Sequence, residues 1–194
     1  MDIVLIKKIK NTKGFTIAEL VVAAGIIAMI SVLVIANFRG SSQKAALDNE
    51  AERLSTILRQ ANINSLIGLT TSSGSRPPGG YGLHLSTCQA NCSYLLFADG
   101  LGADHIYNSN DTNDILVQTF GMLDDDVYIN QVAITPTGGT PPSSLDIAFV
   151  PPQGLVYING SNTATGAQIT IGFKNTNYTK TITLDVKSGR INIQ

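Results

Sequence analysis

The chain has 194 residues, of which 43% are hydrophobic and 14% are charged, and its formal net charge at pH 7 is -1. This length and composition suit one folded domain of ordinary size. Nucleic acid is not expected as the main partner, because phosphate binding relies on clustered lysine and arginine side chains.

The first predicted element is an apolar helix over residues 15–38, within the stretch KGFTIAELVVAAGIIAMISVLVIANF. It contains a single charge, Glu19, and at about 1.5 Å per residue it reaches roughly 36 Å, enough to cross a bilayer. A charge inside such a segment costs about 2.5 to 3.5 kcal/mol, which predicts a partner cation. Lysines at positions 7, 8, 10 and 13 precede the helix. The positive-inside rule therefore places the leader in the cytoplasm and the rest of the chain outside.

Gly14, Phe15 and Glu19, together with the uninterrupted apolar run, resemble the class III leader and N-terminal helix of type IV pilins and type II secretion pseudopilins. The resemblance implies a leader over residues 1–14, prepilin peptidase cleavage between Gly14 and Phe15, and N-methylation of Phe15. It also implies that Glu19 pairs with the N-terminus of a neighbouring subunit. The implied partners are other pilin or pseudopilin subunits, the peptidase and methyltransferase, an inner-membrane assembly platform, and membrane lipid before assembly.

Residues 1–38 also have a plainer interpretation as an ordinary signal anchor. An uncleaved anchor would hold one surface domain at a membrane without polymerising. A secretory signal peptide fits less well, because its apolar region has about 7 to 15 residues. Both the pilin-like and the anchor interpretation predict a single-pass membrane protein with a cytoplasmic leader and an extracytoplasmic head. In the pilin-like case the protein reaches a filament or the cell surface after assembly.

The helical pattern continues over residues 39–67, where it becomes amphipathic. An apolar stripe with steps of three and four residues predicts that this half of the helix lies on a sheet, and a dimeric coiled coil is the alternative. The stripe consists of Leu47, Ala51, Leu54, Ile57, Leu58, Ala61 and Leu66. The helix is predicted to end near Gly68, because residues 68–79 form a loop rich in Gly, Ser and Pro.

Residues 80–194 change to a two-residue period and are predicted to form a β-rich globular head. The candidate strands are YGLHLS, SYLLFADG, ILVQTF, DVYINQVAI, SLDIAFV, GLVYIN, AQITIGF, YTKTITLDV and RINI. The expected fold class is α+β: a long N-terminal helix, with a transmembrane half and an amphipathic half, packed on an antiparallel β-sheet head as in pilins.

The order of segments in the head resembles the H-type minor pseudopilins and the FimT-like minor pilins. The matching residues are Tyr81, Gly82, Phe97, Ala98, Asp99, Gly189 and Arg190 in the head and Leu58, Arg59 and Ala61 in the helix. The resemblance implies a minor subunit or, alternatively, a minor pilin that captures DNA for uptake through Lys174, Lys180, Lys187 and Arg190. A tight turn is the structural explanation of Gly189 and Arg190.

Cys88 and Cys92 lie between the first two predicted strands. Outside the cytosol a disulfide is the favoured interpretation, and it would stabilise so small a loop by about 2 kcal/mol in the chain-entropy model. A zinc site is not favoured, because structural zinc takes four ligands and only His84 and His105 accompany the cysteines. His84 is interpreted as a half-buried structural residue of a strand.

The segment DGLGADHIYNSNDTND concentrates oxygen ligands in one loop. Calcium takes six to eight oxygens, and the candidate ligands are Asp99, Asp104, Asn108, Asn110, Asp111 and Asp114. The spacing departs from the EF-hand pattern. A solvated loop with Asx-turns is the favoured explanation, so no cofactor is expected.

The sequence contains no Gly-x-Ser-x-Gly elbow, Walker loop, HExxH helix or cysteine–histidine nucleophile pair, and the chain is therefore predicted not to be an enzyme. The expected function is that of a structural subunit, of the minor type, in a type IV pilus-like or type II secretion-like filament. The DNA-binding minor pilin and the non-polymerising anchored domain are the alternatives.

Overall fold

The computed structural model describes residues 14–72, 74–100, 102–136 and 140–194, except for the side chains of Ala36 and Asn37. One helix is followed by a series of strands, which confirms the α+β class expected from the sequence. The elements are α1 (Ile17–Leu66), β1 (Gly80–Ser86), β2 (Ser93–Asp99), β3 (Asp114–Gly121), β4 (Val127–Thr135), β5 (Ser144–Val150), β6 (Leu155–Ile158), β7 (Gly166–Phe173), β8 (Thr179–Asp185) and β9 (Ile191–Ile193).

Both ends of α1 are closed by local contacts to its terminal backbone groups. At the start, Thr16 Oγ1 accepts a hydrogen bond from the backbone N–H of Glu19 at 3.2 Å, which is an N-cap contact. At the end, Gly68 has a φ of 61°, and the backbone N–H of Leu69 donates to the carbonyl of Asn64 at 2.9 Å. This Schellman-type ending stops the helix, because glycine adopts the left-handed conformation at little cost.

The apolar stripe of α1 is buried as predicted, with one exception. Leu47, Ala51, Leu54, Ile57, Leu58 and Ala61 all lie in the core. Leu66 is 49% exposed, so its assignment to the stripe is wrong. Successive residues turn by about 100° around a helix. Ser65 therefore takes the stripe position four residues after Ala61, and Leu66 lies to one side of it.

The strands form two antiparallel sheets. The five-stranded sheet has the order β3-β2-β1-β5-β6, and the four-stranded sheet has the order β4-β7-β8-β9. Register shifts interrupt the β2–β3 pairing at Leu96/Phe97 and the β4–β7 pairing at Ile129/Gln131. Strand β1 pairs with β2, its neighbour in the chain, and also with the distant β5.

One hydrophobic core contains side chains from α1 and from both sheets. The chain divides into two compact units, Met1–Ser41 and Ser42–Gln194. The second unit contains the buried stripe of α1 and all the strands named above. The packing of the stripe on antiparallel sheets agrees with the predicted architecture.

Candidate assembly site

The N-terminal half of α1 is apolar on all sides and exposed. Its large apolar side chains, from Ile17 to Phe38, are 50% to 86% exposed. A window of 18 residues in this helix has a mean hydropathy of 2.6, and none of it is buried in the structure. The helix is long and apolar enough to cross a membrane. Such a surface needs an apolar environment, which lipid or neighbouring helices can supply.

Glu19 is the one acidic residue between Phe15 and Phe38, and its side chain is exposed. It lies in the first turn of α1, where its backbone N–H donates to Thr16 Oγ1. The Thr-x-x-Glu spacing is that of a capping box, and a carboxylate near a helix N-terminus interacts favourably with the helix dipole. Glu19 therefore has a local role that the sequence interpretation did not consider, beside the predicted intermolecular pairing.

Gly14 and Phe15, the predicted cleavage residues, precede α1 in an exposed segment. The Phe15 side chain is 84% exposed, and no atom lies within 4 Å of the position that a Cβ of Gly14 would take. Nothing in the described residues shields this peptide bond. The rest of the predicted leader, with its four lysines, lies outside the described residues.

Glu50 is a buried carboxylate in the C-terminal half of α1, and the sequence interpretation missed it. Its Oε1 accepts a hydrogen bond from the Tyr94 hydroxyl at 2.8 Å, and its Oε2 accepts one from the backbone N–H of Leu123 at 2.8 Å. Burial, together with the neighbouring Glu50, raises the pKa of Tyr94, so the hydroxyl stays a donor. The sequence did contain a signal for this burial: Glu50 lies three residues after Leu47 and four before Leu54, which places it beside the apolar stripe of α1.

Arg53 extends the contact that Glu50 makes between α1 and the five-stranded sheet. Its Nη1 lies 3.8 Å from Glu50 Oε2 and donates to the carbonyl of Gly121 at 2.7 Å. The guanidinium lies 5.5 Å from the ring centroid of Phe120, and that ring stacks on Tyr94 at 5.5 Å. The helix is thus joined to the end of β3 and to the loop that follows it.

Ser65 makes a second buried polar contact, nearer the end of α1. Its hydroxyl donates to the carbonyl of Phe149 and accepts a hydrogen bond from the backbone N–H of Tyr81 at 2.7 Å. Gly80 lies beside this contact with a φ of 84°, and a Cβ there would come within 1.9 Å of the Phe149 carbonyl oxygen. The close approach of β1, β5 and α1 therefore requires glycine at position 80.

Cys88 and Cys92 form the predicted disulfide between β1 and β2, with 5.7 Å between their Cα atoms. The backbone N–H of Cys88 also donates to the carbonyl of Ile129 in β4 at 3.1 Å. The bridge therefore closes a turn that contacts the second sheet.

Two histidine–aspartate pairs lie at the five-stranded sheet. His84, half-buried as predicted, has its Nδ1 2.7 Å from Asp146 Oδ1. His105 has its Nδ1 2.9 Å from Asp99 Oδ2, which also accepts the His105 backbone N–H at 3.0 Å. Burial raises the pKa of Asp99, and the hydrogen bonds from His105 oppose that shift. The sequence interpretation anticipated neither pair: His84 and Asp146 lie on strands far apart in the chain, and the contact of His105 with Asp99 depends on how the loop after β2 folds back.

The loop aspartates proposed for calcium form local hydrogen bonds. Asp104 accepts the backbone N–H of Ile106 at 3.0 Å, and Asp111 accepts that of Asn113 at 2.9 Å. Asp114 accepts the backbone N–H of a third loop residue, Asn108, at 2.7 Å. The first two contacts are Asx-turns. No group of three or more acidic, histidine or cysteine side chains suited to a metal ion occurs in the described part of the chain. Calcium binding stays an untested alternative for this loop.

The basic residues proposed for DNA capture are partly neutralised. Lys174 lies 3.7 Å from Asp126, and Lys180 lies 2.8 Å from Asp48. Lys187 and Arg190 are exposed near the turn before β9. No described contact favours phosphate as a ligand of this region.

The sequence between Arg76 and Lys174 contains eight aspartates and no lysine or arginine. The strands β1 to β7 therefore carry an excess of negative charge. The basic residues lie in the first thirteen residues of the sequence, in α1, in the loop that follows it and in the C-terminal region.

No family model, curated protein or solved structure matches this chain. The informative features are the exposed apolar helix, the single carboxylate in its first turn, and the Gly14–Phe15 bond immediately before it.

Proposed function

We propose that this chain is a structural subunit of a type IV pilus-like or type II secretion-like filament. The observation that carries the proposal is the placement of one exposed carboxylate, Glu19, five residues after Gly14 in a helix that is otherwise apolar on all sides. A membrane anchor needs no such charge, which costs about 2.5 to 3.5 kcal/mol on insertion scales. Pairing with a cation on another subunit offsets that cost.

The proposed processing creates that cation. A prepilin peptidase cuts after Gly14 and removes four lysines and one aspartate, which leaves nine basic and thirteen acidic residues and a formal net charge of -4. The new amine of Phe15 is then methylated and keeps its positive charge. Glu19 of one subunit pairs with the amine of its neighbour as the helix leaves the lipid through an inner-membrane assembly platform.

Close packing of the processed helices is favoured by small residues in the same segment. Ala23, Ala24, Gly25 and Ala28 are exposed and follow one another along α1. Small residues let helix backbones approach in an apolar environment, where packing rather than water exclusion drives association. We assign the subunit to the minor type because its head resembles the H-type and FimT-like group.

The processing step is tested by the intact mass and N-terminal sequence of the protein from native membranes or sheared filaments. The expected chain begins at methylated Phe15. A chain that still begins at Met1 would contradict the proposal and support a membrane-anchored surface domain.

The pairing step is tested with three variants in α1 and its cap. Glu19→Gln and Glu19→Ala remove the charge and are expected to lower incorporation into filaments about tenfold or more, while insertion and cleavage continue. Thr16→Ala removes the N-cap contact but keeps the carboxylate, and its incorporation is expected to stay near that of the unmodified chain. If Glu19→Gln were incorporated normally while Thr16→Ala failed to be incorporated into filaments, Glu19 would act through helix capping alone.

A further inference from the structure

The loop between β3 and β4 presents an apolar side chain to solvent. Leu123 is 61% exposed, although it lies in a short, ordered connection. Its backbone N–H donates to the buried Glu50 carboxylate at 2.8 Å, and Arg53 binds the carbonyl of Gly121 just before it. Hydrogen bonds to two side chains of α1 therefore fix the position of a side chain that is left largely open to solvent. We call Leu123 with the adjacent Asp124 and Asp125 the apolar knob.

One carboxylate of the knob, that of Asp125, forms no ion pair within the described ranges. Asp124 accepts the backbone N–H of Asp126 at 2.9 Å, and Asp126 lies 3.7 Å from Lys174. Asp125 is exposed, and no described basic side chain lies within ion-pair distance of its carboxylate. Lys174 also donates to the Asp125 backbone carbonyl, but three aspartates outnumber this one lysine. The knob thus combines an exposed leucine with a net negative charge.

A cavity of about 150 Å³ lies at the end of α1, and we call it the helix-end pocket. Its lining includes Leu66, Ile67, Leu69, Pro77, Tyr81 and Pro151. Leu66, Ile67 and Leu69 are 49%, 63% and 42% exposed, which is unusual for three large apolar residues so close in sequence. A cavity of roughly this volume can hold a benzene molecule, so it can hold one leucine side chain.

Arg76 also lines the helix-end pocket and supplies a positive charge. Its side chain is exposed, and within the described ranges no acidic side chain lies at ion-pair distance from it. The pocket is therefore complementary to the knob in both respects: it is apolar where the knob is apolar, and it is positive where the knob is negative.

The knob and the pocket lie at different levels of α1 within the unit Ser42–Gln194. The knob contacts Glu50, whereas the pocket is lined by Ser65 and the residues after it. Fifteen residues of α-helix separate the two levels, which corresponds to about 22 Å. A copy of the chain therefore cannot place its own knob in its own pocket.

We propose that the apolar knob of one copy docks in the helix-end pocket of a second copy, with Asp125 beside Arg76. The two surfaces differ, so the contact is heterologous, and repetition of it produces an open chain of subunits rather than a closed dimer. Opposite charges at the rim favour this register and oppose knob–knob or pocket–pocket contacts. The inference rests on the proposed filament function and names a contact between the globular heads of neighbouring subunits in that filament. For a minor subunit it requires runs of at least two copies.

The test is disulfide trapping in the full-length chain expressed in membranes with the processing peptidase. Cells expressing Leu123→Cys copies and differently tagged Leu69→Cys copies are treated with a mild thiol oxidant. The expected product is a covalent dimer that contains both tags. The chain that carries both substitutions is expected to give a ladder of higher oligomers, since its two cysteines are too far apart for a bridge within one copy.

The matched control is Asn162→Cys with Leu69→Cys. Asn162 is exposed before the start of β7, which pairs with the end of β4, whereas the knob immediately precedes the start of β4. Equal trapping by this pair would mean that copies collide without a preferred contact, and it would overturn the proposal. The native Cys88–Cys92 bridge, read from the intact mass, reports that each variant folds.

A charge exchange makes the test independent of the introduced thiols' reactivity. In one experiment the Leu123→Cys copy also carries Asp125→Arg, and in another the Leu69→Cys copy also carries Arg76→Asp. Each change alone places like charges together and is expected to lower the trapped fraction about tenfold. Asp125→Arg on one copy with Arg76→Asp on the other is expected to restore it. Failure of the exchange to restore trapping would overturn the predicted register.

The outcomes separate this inference from the proposed function. Processed chains that enter filaments but show no trapping above the control would overturn the docking and leave the filament function standing. Trapping between chains that still begin at Met1 would support the docking and contradict the filament function.

Discussion

At the residue scale, the most informative side chain of the folded unit is Glu50, because a buried carboxylate persists only where its hydrogen bonds are made. Its two oxygens are bonded to the Tyr94 hydroxyl and to the Leu123 backbone N–H. A neutral amide retains one acceptor but offers the second partner the wrong hydrogen-bonding group. The carboxylate therefore stabilises the contact between α1 and the loop after β3.

Glu50→Gln is expected to lower the free energy of unfolding by about 1.5 to 3 kcal/mol, the usual range for hydrogen bonds to a charged group. Glu52→Gln, two residues away on the exposed side of α1, is the matched control, with an expected change within about 0.5 kcal/mol. Urea titration of the full chain in detergent, followed by tyrosine fluorescence, measures both. Equal stabilities of the two variants would contradict the role given to Glu50.

Asp114 is expected to show a pH dependence. Burial raises its pKa, and the neighbouring aspartates 99, 104 and 111 add to the shift. Its charged form is therefore less favourable in the folded state, so the fold loses stability as pH rises from the usual aspartate pKa through the raised value. Asp114→Asn should raise the melting temperature at pH 7 by up to about 4 °C and have no effect near pH 3, where both residues are neutral.

The control variant, Asp185→Asn, is expected to change the melting temperature at pH 7 in the opposite direction. Hydrogen bonds from the backbone and hydroxyl of Ser188 lower the pKa of Asp185, so its charged form is favoured in the fold and Asp185→Asn should lower the melting temperature at pH 7. Scanning calorimetry at both pH values measures the two variants.

The Asp114→Asn variant also tests calcium binding. If calcium raises the melting temperature of the unmodified chain but not that of Asp114→Asn, the calcium interpretation is supported.

At the element scale, α1 is one continuous helix whose two halves differ in what surrounds their side chains. Leu54 is fully buried in the core, whereas Ile30 is 55% exposed. Leu54→Ala is expected to cost about 2 to 5 kcal/mol of unfolding free energy, because it leaves a cavity among fixed neighbours. Ile30→Ala is expected to leave that value unchanged. Urea titration distinguishes the two, and a comparable loss in Ile30→Ala would contradict the division.

The positions of the helix and the strands were predictable because apolar residues recur every three to four residues in a helix and every two in a strand. The helix ends at Leu66, close to the predicted end near Gly68, and the strands follow from two-residue alternation, as YGLHLS and AQITIGF illustrate. The strand neighbours were not predictable, since β1 pairs with β5 across a long stretch of chain. The contacts of the candidate site depend on those pairings. His84 meets Asp146 only because β1 lies beside β5, and Glu50 meets Tyr94 only because α1 packs over β2.

The error at Leu66 and the omission of Ser65 have one physical origin. A hydrophobicity pattern identifies a buried position only when an apolar residue occupies it. Ser65 occupies such a position and is buried because its hydroxyl bonds to two backbone groups. The Gly14, Phe15 and Glu19 pattern, in contrast, needs no tertiary contact to be recognised.

At the scale of the whole molecule, the single apolar helix and the lysines before it predict one orientation in the membrane. In intact spheroplasts, Asn162→Cys in the exposed segment before β7 should react with a membrane-impermeant thiol reagent. Thr12→Cys in the unprocessed chain should react only after lysis. Labelling of Thr12→Cys before lysis would contradict the predicted topology and, with it, both the pilin-like and the anchor interpretation.

The long stretch without basic residues has a practical consequence for detecting this subunit. Trypsin cuts after lysine and arginine, and the bond after Arg76 resists it because Pro77 follows. Digestion therefore leaves one large fragment from Gln60 to Lys174, which contains β1 to β7 and the Cys88–Cys92 bridge. A peptide survey of purified filaments by tryptic mass spectrometry would under-report this subunit, whereas a protease that cuts at aspartate would release the same region in short pieces.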